Sequence, residues 1–183
     1  RDYFRHSFDL ALEAATRLKC AGLNVLAGNK ITDVEYAAQT ESAIENLAWA
    51  APRAEAAGVK LLIEALNTID RPDYLLNFTA DALEIVREVD HPHVQLQYDV
   101  YHAQMAEGNL LNTVTGCFPY IGHVQIADVP GRHEPGTGEI NYPAILARLK
   151  ELAYQGYIGL EYVPSQSTDA SLSWLPTEER NRP

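Results

Sequence analysis

Four short stretches of the chain each close an apolar run with an oxygen-bearing side chain: Glu64 in LLIEALN, Asp99 in QYDVYH, Gln125 in VQIAD and Glu161 in GLEY. Three carboxylates gathered in one cleft raise one another's pKa and cannot all stay ionised without compensation. A divalent cation removes that conflict, and three carboxylates with one amide suit Mg²⁺ or Mn²⁺ better than Zn²⁺. Taken singly, a Glu near a strand end is usually a solvated loop residue, so the case rests on the four acting together. Further candidates surround them. His102, three residues after Asp99, is placed to hydrogen-bond a substrate oxygen. Arg132, among the glycines and prolines of GRHEPGTG, carries a planar fork that can clamp a carboxylate. Asn67 stands where it could cap or orient groups beside Glu64. In isolation His102 and Arg132 are ordinary loop residues.

The elements that must position these groups alternate. Residues 5–20 have helical periodicity, with Phe8, Leu12 and Ala15 on one stripe, and LNVLAG follows. Residues 34–57 are Ala- and Glu-rich and helical, closed by Gly58, and VKLLIEAL comes next. Residues 79–89 read as a helix with Thr79 as N-cap, leading to VQLQYDV. A less regular segment, 103–120, precedes IGHVQIAD; a helix over 143–153 begins at Pro143, and YIGLEYV completes the series. Five strands alternating with helices argue for a parallel sheet with helices outside. The chain reads as a single domain, residues 1–183, with 164–183 as a polar, Pro-containing C-terminal tail that drapes over the surface.

Successive strand side chains point to opposite faces. Val94, Leu96, Tyr98 and Val100 then oppose Gln95, Gln97 and Asp99; Val124 and Ile126 oppose His123, Gln125 and Ala127; Ile158, Leu160 and Tyr162 oppose Tyr157, Gly159 and Glu161. One greasy face and one polar face per strand does not suit an open doubly wound sheet, which is apolar on both sides. It suits a closed (β/α)8 TIM barrel, whose interior holds a site at the strand C-termini. Glu64, Asp99, Gln125 and Glu161 would then meet in register at one mouth. His91 and His93 precede their strand and fall at the opposite end, and the GTG of residues 136–138 reads as a turn.

Composition limits the function classes. The chain has 183 residues, 46% hydrophobic and 21% charged, enough for one globular core, and a formal net charge of −11 that disfavours nucleic-acid partners. No apolar run reaches the roughly 20 residues of a membrane span. The charged start RDYFRHSFDL lacks the apolar region of a signal peptide, which points to the cytoplasm. Cys20 and Cys117 fit no metal-ligand spacing and read as buried free thiols.

The stretches LLIEALN, QYDVYH, GHVQIADVPGRHEPGTGEINY and GLEY resemble the hydroxypyruvate isomerase family of xylose isomerase-like TIM barrels, from about Leu23 to Trp174, with GEINY the most specific part. The resemblance implies that Glu64 and Glu161 are the acid/base pair and also metal ligands, with Asp99 and Gln125 completing the set. It implies interconversion of hydroxypyruvate and 2-hydroxy-3-oxopropanoate (tartronate semialdehyde) through a metal-stabilised enediolate. Many epimerase cousins place a His where this chain has Gln125, which points toward the hydroxypyruvate isomerase branch. Family members carry eight βα units with Glu64's counterpart on the fifth strand, so this chain is expected to form a partial barrel of about five units, lacking about three at the N-terminus. Two alternatives stay open: a 2-oxo-tetronate isomerase or ketose epimerase using the same site, and an inactive fragment or binding protein. The expected partner is a small hydroxy-oxo acid; association into an oligomer, or through uncovered strand edges, is compatible with the sequence.

Overall fold

The structure, a computed structural model, describes residues 2–177. Its elements run α1 (Asp2–Leu18), β1 (Gly22–Asn24), α2 (Tyr36–Ala56), β2 (Lys60–Glu64), α3 (Thr79–Val89), β3 (Val94–Asp99), α4 (Val100–Ala106), α5 (Leu110–Cys117), β4 (Ile121–Ile126), α6 (Tyr142–Glu151) and β5 (Ile158–Leu160). The segment expected to be irregular is therefore mostly helical. Its periodicity is hidden by the interruption at Gly108 and Asn109, both at positive φ, which divides it into two short helices. Among the described residues no helix is long and apolar enough to cross a membrane.

All strand pairings are parallel and the sheet order is β1-β2-β3-β4-β5. Neighbours in sequence are neighbours in space throughout, whereas a doubly wound sheet reverses its order at a switch point. The result is a half-barrel. Side-chain alternation divides it as the sequence requires. Leu61, Ile63, Val94, Leu96, Tyr98, Val124 and Ile126 are buried on the outer face with Leu47, Ala50, Ala51 and Ala54 of α2, Ile85 and Val86 of α3, and Ile145 and Leu149 of α6. Leu160, of the same parity on edge strand β5, is 42% exposed.

Two local features differ from the simple reading. The β3–β4 register pairs Leu96 with Ile121 but Gln97 with His123, so Gly122 is an extra, bulged residue. A Cβ there would lie 2.6 Å from Gln95 Oε1 and 2.7 Å from Leu62 Cδ2, which only glycine avoids. Thr79 is not the N-cap of α3 but its first residue. Its hydroxyl donates to the Glu107 carboxylate, and the Asp81 carboxylate receives the Phe78 N–H at 3.1 Å. Both cysteines are free as expected, but Cys20 is exposed while Cys117 is buried. The stretch after β5 is tied down within its described part: Ser171 is buried, its carbonyl accepts the Tyr162 hydroxyl at 3.1 Å, and Trp174 packs against the core. Residues 178–183 of the expected tail lie outside the described residues.

The loop from β4 to α6 is organised around Asp128, which is fully buried. Oδ1 accepts the N–H groups of Val129 (2.9 Å) and Ile140 (3.1 Å), and Oδ2 those of Gly136 (2.9 Å) and Gly138 (3.0 Å). The GTG stretch thus does turn duty as donor to a carboxylate. Four backbone donors lose their acceptor together in Asp128→Ala. That variant should lose about 3 kcal/mol of stability in urea denaturation and open the loop to proteolysis between residues 129 and 140. An unchanged denaturation midpoint with a protected loop would contradict this role.

Candidate active site and metal centre

The polar groups of the inner face reach the C-terminal rim by a staggered register. Glu64 pairs with Gln97, two residues short of Asp99; Asp99 pairs directly with Gln125; Gln125 pairs with Gly159, two residues short of Glu161. The groups therefore do not sit in strict register but step along the sheet, as strand tilt in a barrel demands. Glu64 and Asp99 are the last residues of β2 and β3, and Glu161 lies just past β5.

Glu64, Asp99 and His102 are all buried, and each offers a potential ligand atom within 4.8 Å of the others. Glu161 is half-exposed, with Oε2 receiving Arg132 Nη2 at 2.9 Å. The same guanidinium nitrogen stands 3.8 Å from Asp99 Oδ2, and the guanidinium lies over the Tyr101 ring at 4.8 Å. Arg132 itself is held at φ 55°, its carbonyl accepting the Val163 N–H at 2.8 Å. Gln125 sits beside Asp99, and its Oε1 accepts from Gln97 Nε2. Glu64, His102, Arg132 and Glu161 line one open cleft of about 690 Å³ together with Asn24, Asp70 and Tyr101. Asp99 and Gln125 are not among its lining residues, and neither is Asn67. It is fully buried beneath the rim and bonded to the His102 ring. His91 and His93 lie at the other end of the strands, His93 Nδ1 2.8 Å from the Val59 carbonyl.

Burial sets the electrostatics. It pushes Asp99 up to about 7, reinforced by the Glu64 charge and opposed by the His102 N–H and Arg132. Burial likewise raises Glu64, against hydrogen bonds from Asn24 and Gln97. His102 is pushed down to about 4, by burial first and then by the Arg132 charge, and is neutral at pH 7. Burial also works to raise Asp70, but hydrogen bonds from Asn67 and Tyr101 outweigh it, so its pKa is lowered. Two buried carboxylates that resist ionisation and a half-exposed third carboxylate form an oxygen donor set that fits a divalent cation.

Sequence reasoning missed Asn24, whose Nδ2 donates to Glu64 Oε2 at 2.7 Å, and Asp70, which receives the Tyr101 hydroxyl at 2.9 Å. Asn24 shares the inward parity of Glu64, but β1 is only three residues long and gives that parity little support. Asp70 lies in a turn beyond β2, where no periodicity marks it.

A parallel half-barrel whose inward polar side chains gather at the strand C-termini has the layout of (β/α)8 barrel enzymes. The chain belongs to the xylose isomerase-like TIM barrel family, whose family model matches residues 1–178. It is 40% identical to a putative hydroxypyruvate isomerase of Danio rerio, over 98% of this chain and 67% of that protein. It is also 40% identical to a 2-oxo-tetronate isomerase of Pectobacterium atrosepticum, over 93% of this chain and 65% of that protein. A solved structure described as an AP endonuclease of family 2 from Brucella melitensis superposes with a TM-score of 0.91 at 37% identity, covering 94% of this chain and 67% of that one. The chain spans about two thirds of the length of these relatives.

The raised pKa of Asp99 fixes a pH dependence. Its unfolded value is near the model-peptide 3.9, so between about pH 4 and 7 the folded state holds a proton that the unfolded state has released. Stability of the metal-free protein therefore falls as pH rises through that window. Asp99→Asn removes the charge yet keeps an oxygen for the N–H groups of Tyr101 and His102. With chelator present it should melt about 3–8 °C above wild type at pH 8, with the gain shrinking toward zero at pH 4. A gain that is the same at both pH values would contradict the buried-charge reading.

Proposed function

We propose that the barrel to which these five βα units belong is a cytoplasmic aldose–ketose isomerase interconverting hydroxypyruvate and 2-hydroxy-3-oxopropanoate. The observation that carries the reading is that Glu64 and Glu161 line one cleft together with Arg132 and His102. Glu64, Asp99, Gln125 and Glu161 would hold the cation, Mg²⁺ or Mn²⁺ by their all-oxygen chemistry. When bound, the cation supplies Lewis-acid polarisation of the substrate carbonyl. One glutamate takes the proton from the hydroxymethyl carbon, and the other returns a proton to the former carbonyl carbon, while the hydroxyl proton passes between the two oxygens. Arg132 and His102 donate to substrate oxygens and stabilise the negative charge that develops on them. Asn67 supports this set from below. Residues 1–183 are taken as one partial barrel domain, with 164–183 as its C-terminal tail.

A 2-oxo-tetronate isomerase is the second reading, favoured by the relatives of that name. The chemistry is the same, and the walls of the cleft opposite β2–β5 decide between the substrates. Strand cleavage of a nucleic acid is disfavoured by the net charge of −11.

In the complete barrel, Glu64→Gln and Glu161→Gln should each lower kcat by about 10²–10⁴-fold for hydroxypyruvate, measured beside 2-oxo-tetronate and a ketose. Retention of activity by both variants would sink the acid/base assignment, and a preference of wild type for 2-oxo-tetronate would replace the substrate. Mn²⁺ or Mg²⁺ should raise the melting temperature of wild type, and more at pH 8 than at pH 6, because the proton on Asp99 must leave before the cation enters. No shift at either pH with either ion would exclude a divalent cation.

A further inference from the structure

The His102 ring is read from two directions, and only one of its nitrogens is open to question. The backbone N–H of Asn67 donates to His102 Nδ1 at 3.1 Å. A backbone amide can only donate, so Nδ1 must be a bare acceptor. The Asn67 side chain makes the same demand independently. Its Oδ1 accepts the backbone N–H groups of Ile69 (3.0 Å) and Asp70 (2.9 Å), which fixes which end of the amide is oxygen. Its Nδ2 therefore supplies both remaining hydrogens, one to Asp70 Oδ2 at 3.0 Å and one to His102 Nδ1 at 2.7 Å. Every donor and acceptor of the side chain is used, and the residue is fully buried.

We infer that Asn67 is a positioning residue that locks His102 in the neutral Nε2–H tautomer, so that the imidazole offers the cleft a hydrogen-bond donor and neither a metal ligand nor a base. Nε2 stands 3.9 Å from Asp99 Oδ2, beyond hydrogen-bond reach, so its proton is available to an incoming group. The closeness of His102 to Glu64 and Asp99 resembles a three-ligand metal cluster. The lock removes His102 from it: one nitrogen is occupied by Asn67 and the other carries hydrogen. What the donor meets is then an acceptor oxygen of the substrate, a carbonyl, carboxylate or alkoxide. That last step rests on the isomerase reading; the tautomer does not.

The test is a long-range ¹H–¹⁵N correlation spectrum of the uniformly ¹⁵N-labelled chain, with the His102 ring identified by its loss in His102→Gln. The expected pattern is a protonated Nε2 and a bare Nδ1, unchanged when Mg²⁺ is added. A protonated Nδ1, a doubly protonated ring, or loss of the Nε2 proton on adding Mg²⁺ would overturn the inference. Asn67→Asp exchanges the side-chain donor for an acceptor against Nδ1. It should shift the ring toward the Nδ1-protonated form and, in the complete barrel, lower kcat at least 10-fold while the Mg²⁺-induced melting shift is kept. An unaltered ring in a folded Asn67→Asp would overturn the role of the side chain. If that variant does not fold, the wild-type spectrum alone decides the tautomer. If the wild-type ring shows the expected pattern but the barrel isomerises no oxo acid, the lock stands and the isomerase reading falls.

Discussion

Glu64 and Asp99 end adjacent parallel strands, both almost withdrawn from water, with potential ligand atoms no more than 4.8 Å apart. Like charges at that separation in a low-dielectric rim oppose each other, and burial opposes each separately. The protein meets this conflict by surrounding the pair with donors. Asn24 from β1 holds Glu64, the first turn of α4 holds Asp99 through the N–H groups of Tyr101 and His102, and Arg132 approaches from the β4–α6 loop. Each donor comes from a different strand end, so no single βα unit could build the rim. The parallel order of the sheet is what brings them together.

The constraint extends outward through buried hydrogen bonds. Arg132 is useful only if its loop is fixed, and that loop hangs on Asp128, a carboxylate wholly consumed by backbone donors. The same loop is clasped to the stretch after β5 by Arg132, His133 and Glu134, the last accepting both the N–H and the hydroxyl of Ser165. Fixing Arg132 therefore also fixes Glu161, its 2.9 Å partner. On the opposite side, Asn67 ties the turn after β2 to His102 and Asp70, and Asp70 to Tyr101, over whose ring Arg132 lies. The rim is one connected network in which position, more than net strength, is what the hydrogen bonds supply.

What the sequence revealed of this follows from periodicity. Strand residues alternate with period two, so Glu64, Asp99, Gln125 and Glu161 could be assigned to the inner face without coordinates, and the apolar partners to the helices. Their stagger could not, because it depends on strand tilt and on the bulge at Gly122. Asn24 escaped because β1 is only three residues long and shows little alternation. Asp128 escaped for a deeper reason, and Asn67 was legible only as a group beside Glu64, without its partners. A buried polar group is stabilised by partners distant in sequence, as Asn67 is by His102, and nothing local distinguishes it from a solvated loop residue. Thr79 was misread for the converse reason: its type fits an N-cap, but Glu107 claims its hydroxyl and Asp81 performs the capping.

Charge gives the arrangement its logic. The cleft is lined by the carboxylates of Glu64, Asp70 and Glu161, with Asp99 beside Glu64, against the guanidinium groups of Arg71 and Arg132, while Gln125 and the neutral His102 add nothing. With every carboxylate ionised, the balance is two negative charges, the amount one divalent cation would cancel. Without a cation the same sum is reached only in part, by keeping a proton on Asp99 near neutral pH. A carboxylate in place of Gln125 would leave a surplus negative charge. The neutral amide at 125, held by Gln97 from the layer below, adds no charge of its own to that sum.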